Sequence, residues 1–320
     1  FTENPKAKYN IDILPNAQVT KILCKNAVSD NRKIVYGVQI NNQRSQNIYI
    51  DEENGGEVIV SCGAVGSPHL LLLSGIGDAQ QLKKHNIAVQ ANVPGVGLNL
   101  KDHIMQVYRV IFKNDKLRNE PGIIYEGMSV LAQCKHLMQY LLNGRGPITG
   151  TGLDAHVFTQ SRVAKKNGLK SNDLQLVQVL IGDEKNPVNA AKVAEKYMNY
   201  DVQSDDFSQW KFKNKTITEE HLQKSVMAIS MNVRPQSTGR ITLVSSDPHV
   251  HPNIDPNYLA NKEDMDAFLE GMQILEQIYS AEPFKSMGAE IVEFERFRDK
   301  REAAEYFLKN YTLTIYHPVG

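Results

Sequence analysis

The run Glu57-Val58-Ile59-Val60-Ser61-Cys62, followed at once by Gly63-Ala64-Val65-Gly66-Ser67-Pro68 and then by Leu70 to Leu73, limits the architecture of this chain more than any other stretch. β-Branched residues dominate the run and it scarcely alternates, which is the pattern of a strand buried on both faces. Ser67 suits an N-cap and Pro68 a first helical position, so the sequence predicts a helix that begins there. A strand, a glycine turn and a helix start form a ligand-facing crevice in an α/β sheet. They equally form a tight turn that holds nothing, and the residues alone weigh the same for both.

The rest of the chain reads as a mixed α/β (α+β) protein. Alternation predicts short strands over residues 11–14, 19–23 and 35–40, separated by polar Asn- and Lys-rich turns. From about His103 the pattern lengthens: Val130, Cys134, Leu137, Met138 and Leu141 recur at helical spacing, ahead of a Gly144-Arg145-Gly146-Pro147 break. Residues 165–172 read as a polar loop and 186–218 as a long surface excursion. Strand signals return at 228–233 and 240–244. The clearest helix has Asn261 as its cap and Glu263 and Asp264 in its first turn. Its apolar face is Met265, Phe268, Met272, Leu275 and Ile278.

Charge removes several function classes. The 36 basic residues balance 36 acidic ones, so no excess of Lys and Arg exists to hold nucleic acid or an anionic membrane. No apolar stretch approaches the ~20 residues of a membrane-spanning helix. Cys24, Cys62 and Cys134 lack metal-ligand or disulfide spacing, and read as small apolar fillers. His249 and His251 share a face if extended, but no further ligand stands at matching spacing, so no metal is expected. The sequons Asn214-Lys215-Thr216 and Asn310-Tyr311-Thr312 point toward an extracellular or secretory-pathway protein.

Five segments in order carry a resemblance. Gly63 to Pro68 continues through Leu70-Leu71-Leu72-Leu73-Ser74-Gly75-Ile76-Gly77. Val93-Pro94-Gly95-Val96-Gly97 follows, with Asn99-Leu100 and Asp102-His103. Arg234-Pro235-Gln236-Ser237-Thr238-Gly239, then Pro252-Asn253-Ile254 with Asn257-Tyr258-Leu259, and finally Tyr316-His317-Pro318-Val319-Gly320 complete it. The chain resembles the glucose-methanol-choline (GMC) flavoprotein oxidoreductases, and within them the insect glucose dehydrogenase (FAD, quinone) branch.

That resemblance implies a partial Rossmann-like FAD-binding domain plus a substrate domain with an antiparallel sheet and flanking helices. Residues 1–103 would be the later part of the FAD domain and 104–312 the substrate domain, with 313–320 returning to the active site. It implies FAD as cofactor, an alcohol or sugar as substrate, and a quinone or oxygen as electron acceptor. His317 matches the family's general base, a task suited to imidazole because it titrates near neutrality. Tyr316 would line the substrate pocket. The backbone at Val19 would meet the adenine of FAD, and Gly63, Ala64 and Gly66 would let the main chain approach the cofactor. His103 reads as structural.

Each assignment has a plainer counterpart: a surface histidine before a proline turn, an aromatic packed on proline, an interior strand valine, and close strand-to-helix packing. The family's glycine fingerprint GxGxxG and its second catalytic His or Asn are not among these 320 residues. The chain reads as a fragment lacking both ends, expected to bind FAD poorly and turn nothing over alone. Two other readings stand beside the enzyme: a non-catalytic GMC-fold protein with a binding or structural role, and a lyase on the same scaffold.

Overall fold

The computed structural model describes residues 12–27, 32–42, 44–112, 130–146, 149, 153–180, 211–212, 215–216, 226–291 and 301–320. The chain divides into two compact units. One comprises residues 1–101, 238–257 and 318–320, the other 102–237 and 258–317. The units interleave in sequence, with 238–257 leaving the second to join the first.

In the first unit, β1 (Gln18–Asn26), β2 (Lys33–Asn42) and β3 (Arg44–Tyr49) form an antiparallel sheet in that order. Helix α1 (Gly63–Leu73) follows, then β4 (Ile76–Gly77), α2 (Ala79–Lys84), β5 (Ala91–Asn92) and β6 (Leu98–Leu100). β4 and β5 pair in parallel. Ser74, fully buried, ties the end of α1 to the edge strand β1. Its hydroxyl donates to the Leu70 carbonyl at 2.6 Å and accepts the Ile22 N–H at 2.8 Å. The leucines of α1 are core residues: Leu72 packs with Leu82 and Leu243. Gly97 explains the Val-Pro-Gly-Val-Gly stretch. Its φ is +82°, its carbonyl accepts the Ile241 N–H at 2.6 Å, and an added Cβ would stand 2.3 Å from the Ile241 carbonyl oxygen.

Three sequence expectations fail in this unit. Residues 57–62 are extended but are not a strand buried on both faces; Val58 and Val60 are half-buried and Ile59 is 82% exposed. A central strand needs a ladder partner on each side, and no described strand runs beside this one. Its exposure instead alternates with period two, which the sequence did not suggest. Helix α1 starts at Gly63, not after Ser67, because Gly63 at φ +78° turns the chain into the helix four residues earlier. Ser67 instead accepts the Cys62 N–H at 3.1 Å, and Pro68 lies inside the helix. Residues 12–14 are unpaired, with Ile13 and Leu14 exposed, and the first strand begins only at Gln18.

The second unit is built on β7 (Ile104–Phe112), α3 (Val130–Asn143), β8 (Leu153–Thr159), α4 (Arg162–Lys166) and β9 (Leu174–Leu180). To these it adds the short pair β10 (Lys211–Phe212) and β11 (Lys215–Thr216), and β12 (Val226–Asn232). The chain then gives β13 (Gly239–Thr242) and β14 (Asn253–Asp255) to the first unit, where they form a sheet with β6. It returns for α5 (Lys262–Ser280), β15 (Ala289–Ile291), α6 (Arg301–Tyr311) and β16 (Leu313–Thr314).

The large sheet runs β15-β7-β12-β9-β8, antiparallel at every pairing, with β16 also on β7. One face is covered by α5 and α6: Tyr108, Val110 and Phe112 pack with Phe268, Met272, Leu275, Phe307 and Leu308. Fully burying each such side chain is worth roughly 1.5–3 kcal/mol. A smaller cluster of Val177, Ile229 and Met231 occupies the other face. The fold is thus mixed α/β with an antiparallel second sheet, as the sequence implied.

Asn261 caps α5 as expected, accepting the Glu263 N–H at 2.8 Å. Asp264 stands in the first turn, as read from sequence, and is fully buried there. It accepts the backbone N–H of Gln236 and of Ser237, each at 2.7 Å, and the Asn232 amide at 3.1 Å. That fixes the Arg-Pro-Gln-Ser segment against the helix. The helix expected around Val130 forms, but Val130, Leu137, Met138 and Leu141 are exposed. The expected loop at 165–172 is entered through the last turn of α4. The 186–218 excursion, apart from the short β10–β11 pair, and Asn214 lie outside the described residues.

Candidate active site

The registers of β7 and β16 place the chain's end. Thr314 pairs with Ile104 and Leu313 with Met105, so residues 102–105 and 313–317 run antiparallel side by side. The Ile315 N–H extends the ladder by donating to the His103 carbonyl at 3.1 Å. Asp102, 7% exposed, closes the arrangement. Its Oδ2 accepts the Tyr258 hydroxyl at 2.6 Å and the Thr314 hydroxyl, and its Oδ1 accepts the His317 backbone N–H at 3.1 Å. Thr314 Oγ1 in turn accepts the Tyr316 N–H at 2.8 Å. Tyr316 sits at φ +63°, a left-handed conformation uncommon for a bulky residue. This turn leaves the Tyr316 and His317 side chains exposed.

His103 meets His317 ring to ring. Their Nδ1 atoms are 3.3 Å apart, and the rings stand edge to face with centroids 5.3 Å apart. Burial, then the neighbouring His317, pushes the His103 imidazole below its ordinary pKa, with Arg234 adding to the effect. Asp102 and the Val233 backbone pull the other way. His103 therefore favours its neutral form. Burial and the Asp102 carboxylate raise the Tyr258 phenol from 10.0 to about 12. Burial alone raises Tyr279 as well.

Both phenols hold their protons more tightly in the folded protein, so their contribution is complete below pH 10. It is lost as pH rises through about 12 for Tyr258, and higher still for Tyr279. Denaturant midpoints are expected to fall above pH 10, less steeply in Tyr258→Phe than in the parent. Parallel slopes for the two would contradict the assignment.

The residues expected to face a cofactor lie in the first unit. Val19, half-buried on the edge strand β1, lines a cavity of 270 Å³ with Val58, Val60, Cys62 and Leu70. Gly63, Ala64 and Gly66 form the start of α1, one residue beyond the Cys62 wall. A Cβ at Gly63 would meet nothing within 4 Å, so open space lies above it; one at Gly66 would press on Cys62 at 2.9 Å. The cavity is lined mainly by apolar residues, and the main chain at the glycine beside it is unobstructed. In the same unit, Lys101 and Val319 exchange two backbone hydrogen bonds at 2.6 and 2.7 Å.

His249 Nε2 lies 3.0 Å from the Asn41 amide. Among the described residues no group of three His, Cys, Asp or Glu side chains is placed to hold a metal. No helix among them is long and apolar enough to cross a membrane. Sequence reasoning missed Asp102, Tyr258 and Thr314 as parts of the site. The Asp-His and Asn-Tyr-Leu motifs contained the first two, but nothing in them says that they meet.

Models of the GMC oxidoreductase family match residues 2–105 and 235–320. An alcohol dehydrogenase (acceptor) of Pseudomonas putida is 30% identical, over 97% of this chain and 48% of its own length. Glucose dehydrogenase (FAD, quinone) of Drosophila melanogaster is 28% identical, over 90% of this chain and 39% of its own. The chain spans less than half the length of these relatives. A formate oxidase variant from Aspergillus oryzae shares the fold, with TM-score 0.67 and 24% identity over 98% of this chain and 52% of that one. Two family models that bracket the chain, and relatives that match nearly all of it, make it a member of the GMC oxidoreductases, a family of FAD-binding flavoproteins.

Proposed function

We propose that the full-length protein is an FAD-dependent oxidoreductase acting on the CH-OH group of an alcohol or sugar, with His317 as general base. The observation that carries this is the seating of His317: an exposed imidazole on a backbone anchored through its own N–H to the buried Asp102 carboxylate. Such a ring is open to a substrate while its main chain is fixed. His317 takes the hydroxyl proton as the C–H bond breaks, and returns it to solvent after product leaves. Bound FAD supplies the acceptor for the hydride.

Val19 would hold the adenine end of the cofactor, and Gly63, Ala64 and Gly66 would bring main chain against it. Tyr316, exposed beside His317, would contact the substrate. A quinone or oxygen would take the electrons onward. The sequons Asn214-Lys215-Thr216 and Asn310-Tyr311-Thr312 favour a place in the secretory pathway.

Anaerobic mixing of the flavin-loaded, full-length protein with a panel of alcohols and sugars is expected to bleach the flavin absorption band. The 320-residue chain alone, which has no GxGxxG among its residues, is expected to carry little flavin and to show no bleaching. A full-length protein that no CH-OH donor reduces would overturn the reading and leave a non-catalytic member of the family.

A further inference from the structure

His103 and His317 present the same ring nitrogen to each other, Nδ1 to Nδ1 at 3.3 Å, with ring planes 69° apart. Two imidazole nitrogens that close must share one proton, since two lone pairs repel and two N–H groups clash. Either His103 donates and His317 accepts, or the reverse.

The free nitrogen of His317 decides between them. With its Nδ1 turned to His103, the nitrogen that His317 leaves open is Nε2. A base needs its lone pair on the open nitrogen, so the proton of neutral His317 stands on Nδ1 and the Nδ1 of His103 accepts it. Asp102 directs its oxygens to the His317 N–H and two hydroxyls. The acceptor that orients the His317 ring is therefore an imidazole.

We propose that His103 is a positioning residue that fixes the tautomer of His317. The Nδ1–H of His317 donates to the bare Nδ1 of His103, which leaves the His317 lone pair on Nε2, turned away from His103. This rests on His317 being the base, and adds which of its atoms receives the substrate proton. Left alone, a neutral imidazole favours the opposite form, with the proton on Nε2 and no lone pair there. Once His317 has accepted a proton at Nε2 it still donates through Nδ1, so His103 stays neutral throughout.

The test uses the full-length, flavin-loaded protein labelled with ¹⁵N-histidine. NMR is expected to show neutral His317 protonated at Nδ1 in the parent and shifted toward Nε2–H in His103→Leu. In His103→Leu, kcat should fall about 10- to 100-fold with KM little changed. His103→Asn, whose amide oxygen can take the place of Nδ1, should recover most of that loss. His317 protonated at Nε2 in the parent, or equal kcat in His103→Leu and the parent, overturns the proposal. The NMR result on the parent decides the pairing even if His103→Leu does not fold. If instead His317→Ala turns over normally, the base assignment fails while the tautomer result still stands on its own.

Discussion

Changing His317 to Ala in the full-length, flavin-loaded protein is expected to lower kcat for alcohol or sugar oxidation by about 10²- to 10⁴-fold. Flavin content should stay unchanged. The seating of this residue makes the prediction a clean one. Its contact with Asp102 runs through the backbone N–H, which alanine keeps, so the strap from β16 stays in place. Its side chain is exposed, so truncation leaves no buried void and should shift stability by no more than about 0.5 kcal/mol. Lost turnover with retained flavin and retained stability would isolate the imidazole as the cause. Turnover equal to the parent's would remove His317 from the chemistry.

The second large effect is expected at Asp102. In Asp102→Ala three donors lose their acceptor at once: the Tyr258 and Thr314 hydroxyls and the His317 N–H. Hydrogen bonds to a charged group are each worth roughly 1.5–3 kcal/mol, but those three residues are half-exposed or exposed and water can reach them. A total loss of about 2–4 kcal/mol is therefore expected from the shift in denaturant midpoint. Asp102→Asn should cost less, since its amide oxygen still accepts while its NH2 faces another donor. Turnover should drop in both, because the segment carrying His317 loses its fixed end. An Asp102→Ala protein as stable and as active as the parent would show that the clamp does not hold the site.

Local rules were legible where one element carried its own signal. Asn261 with an apolar face at Met265, Phe268, Met272 and Leu275 needed nothing beyond its own nineteen-residue helix. Strands β1 and β2 were equally plain from alternation. The failures lie where the setting of a residue, and not its type, decides the structure. Residues 57–62 have the composition of a central strand, but composition cannot supply ladder partners. Ser67-Pro68 looks like a helix start because the turning power of Gly63, four residues earlier, shows only in its φ of +78°.

The site divides the same way. His317 and Tyr316 were singled out as candidates through the resemblance, as were Val19 and the glycines of α1. Asp102 was visible only as part of a motif. Its role comes from partners 156, 212 and 215 residues away. His103 read as structural because its ring partner lies 214 residues downstream. No local pattern encodes such a meeting.

That separation bears on when the site forms. Joining Asp102 to His317 closes a loop of more than two hundred residues, the kind of non-local contact that slows folding. β16 and the turn after it supply too few contacts to hold that loop shut by themselves. They must wait for the β7 edge, and the edge for β12, α5 and α6. Seating of the His317 segment against Asp102 is then a late event in the maturation of the chain. A newly made or partly unfolded molecule would have most of its sheet and helices before that segment was in place.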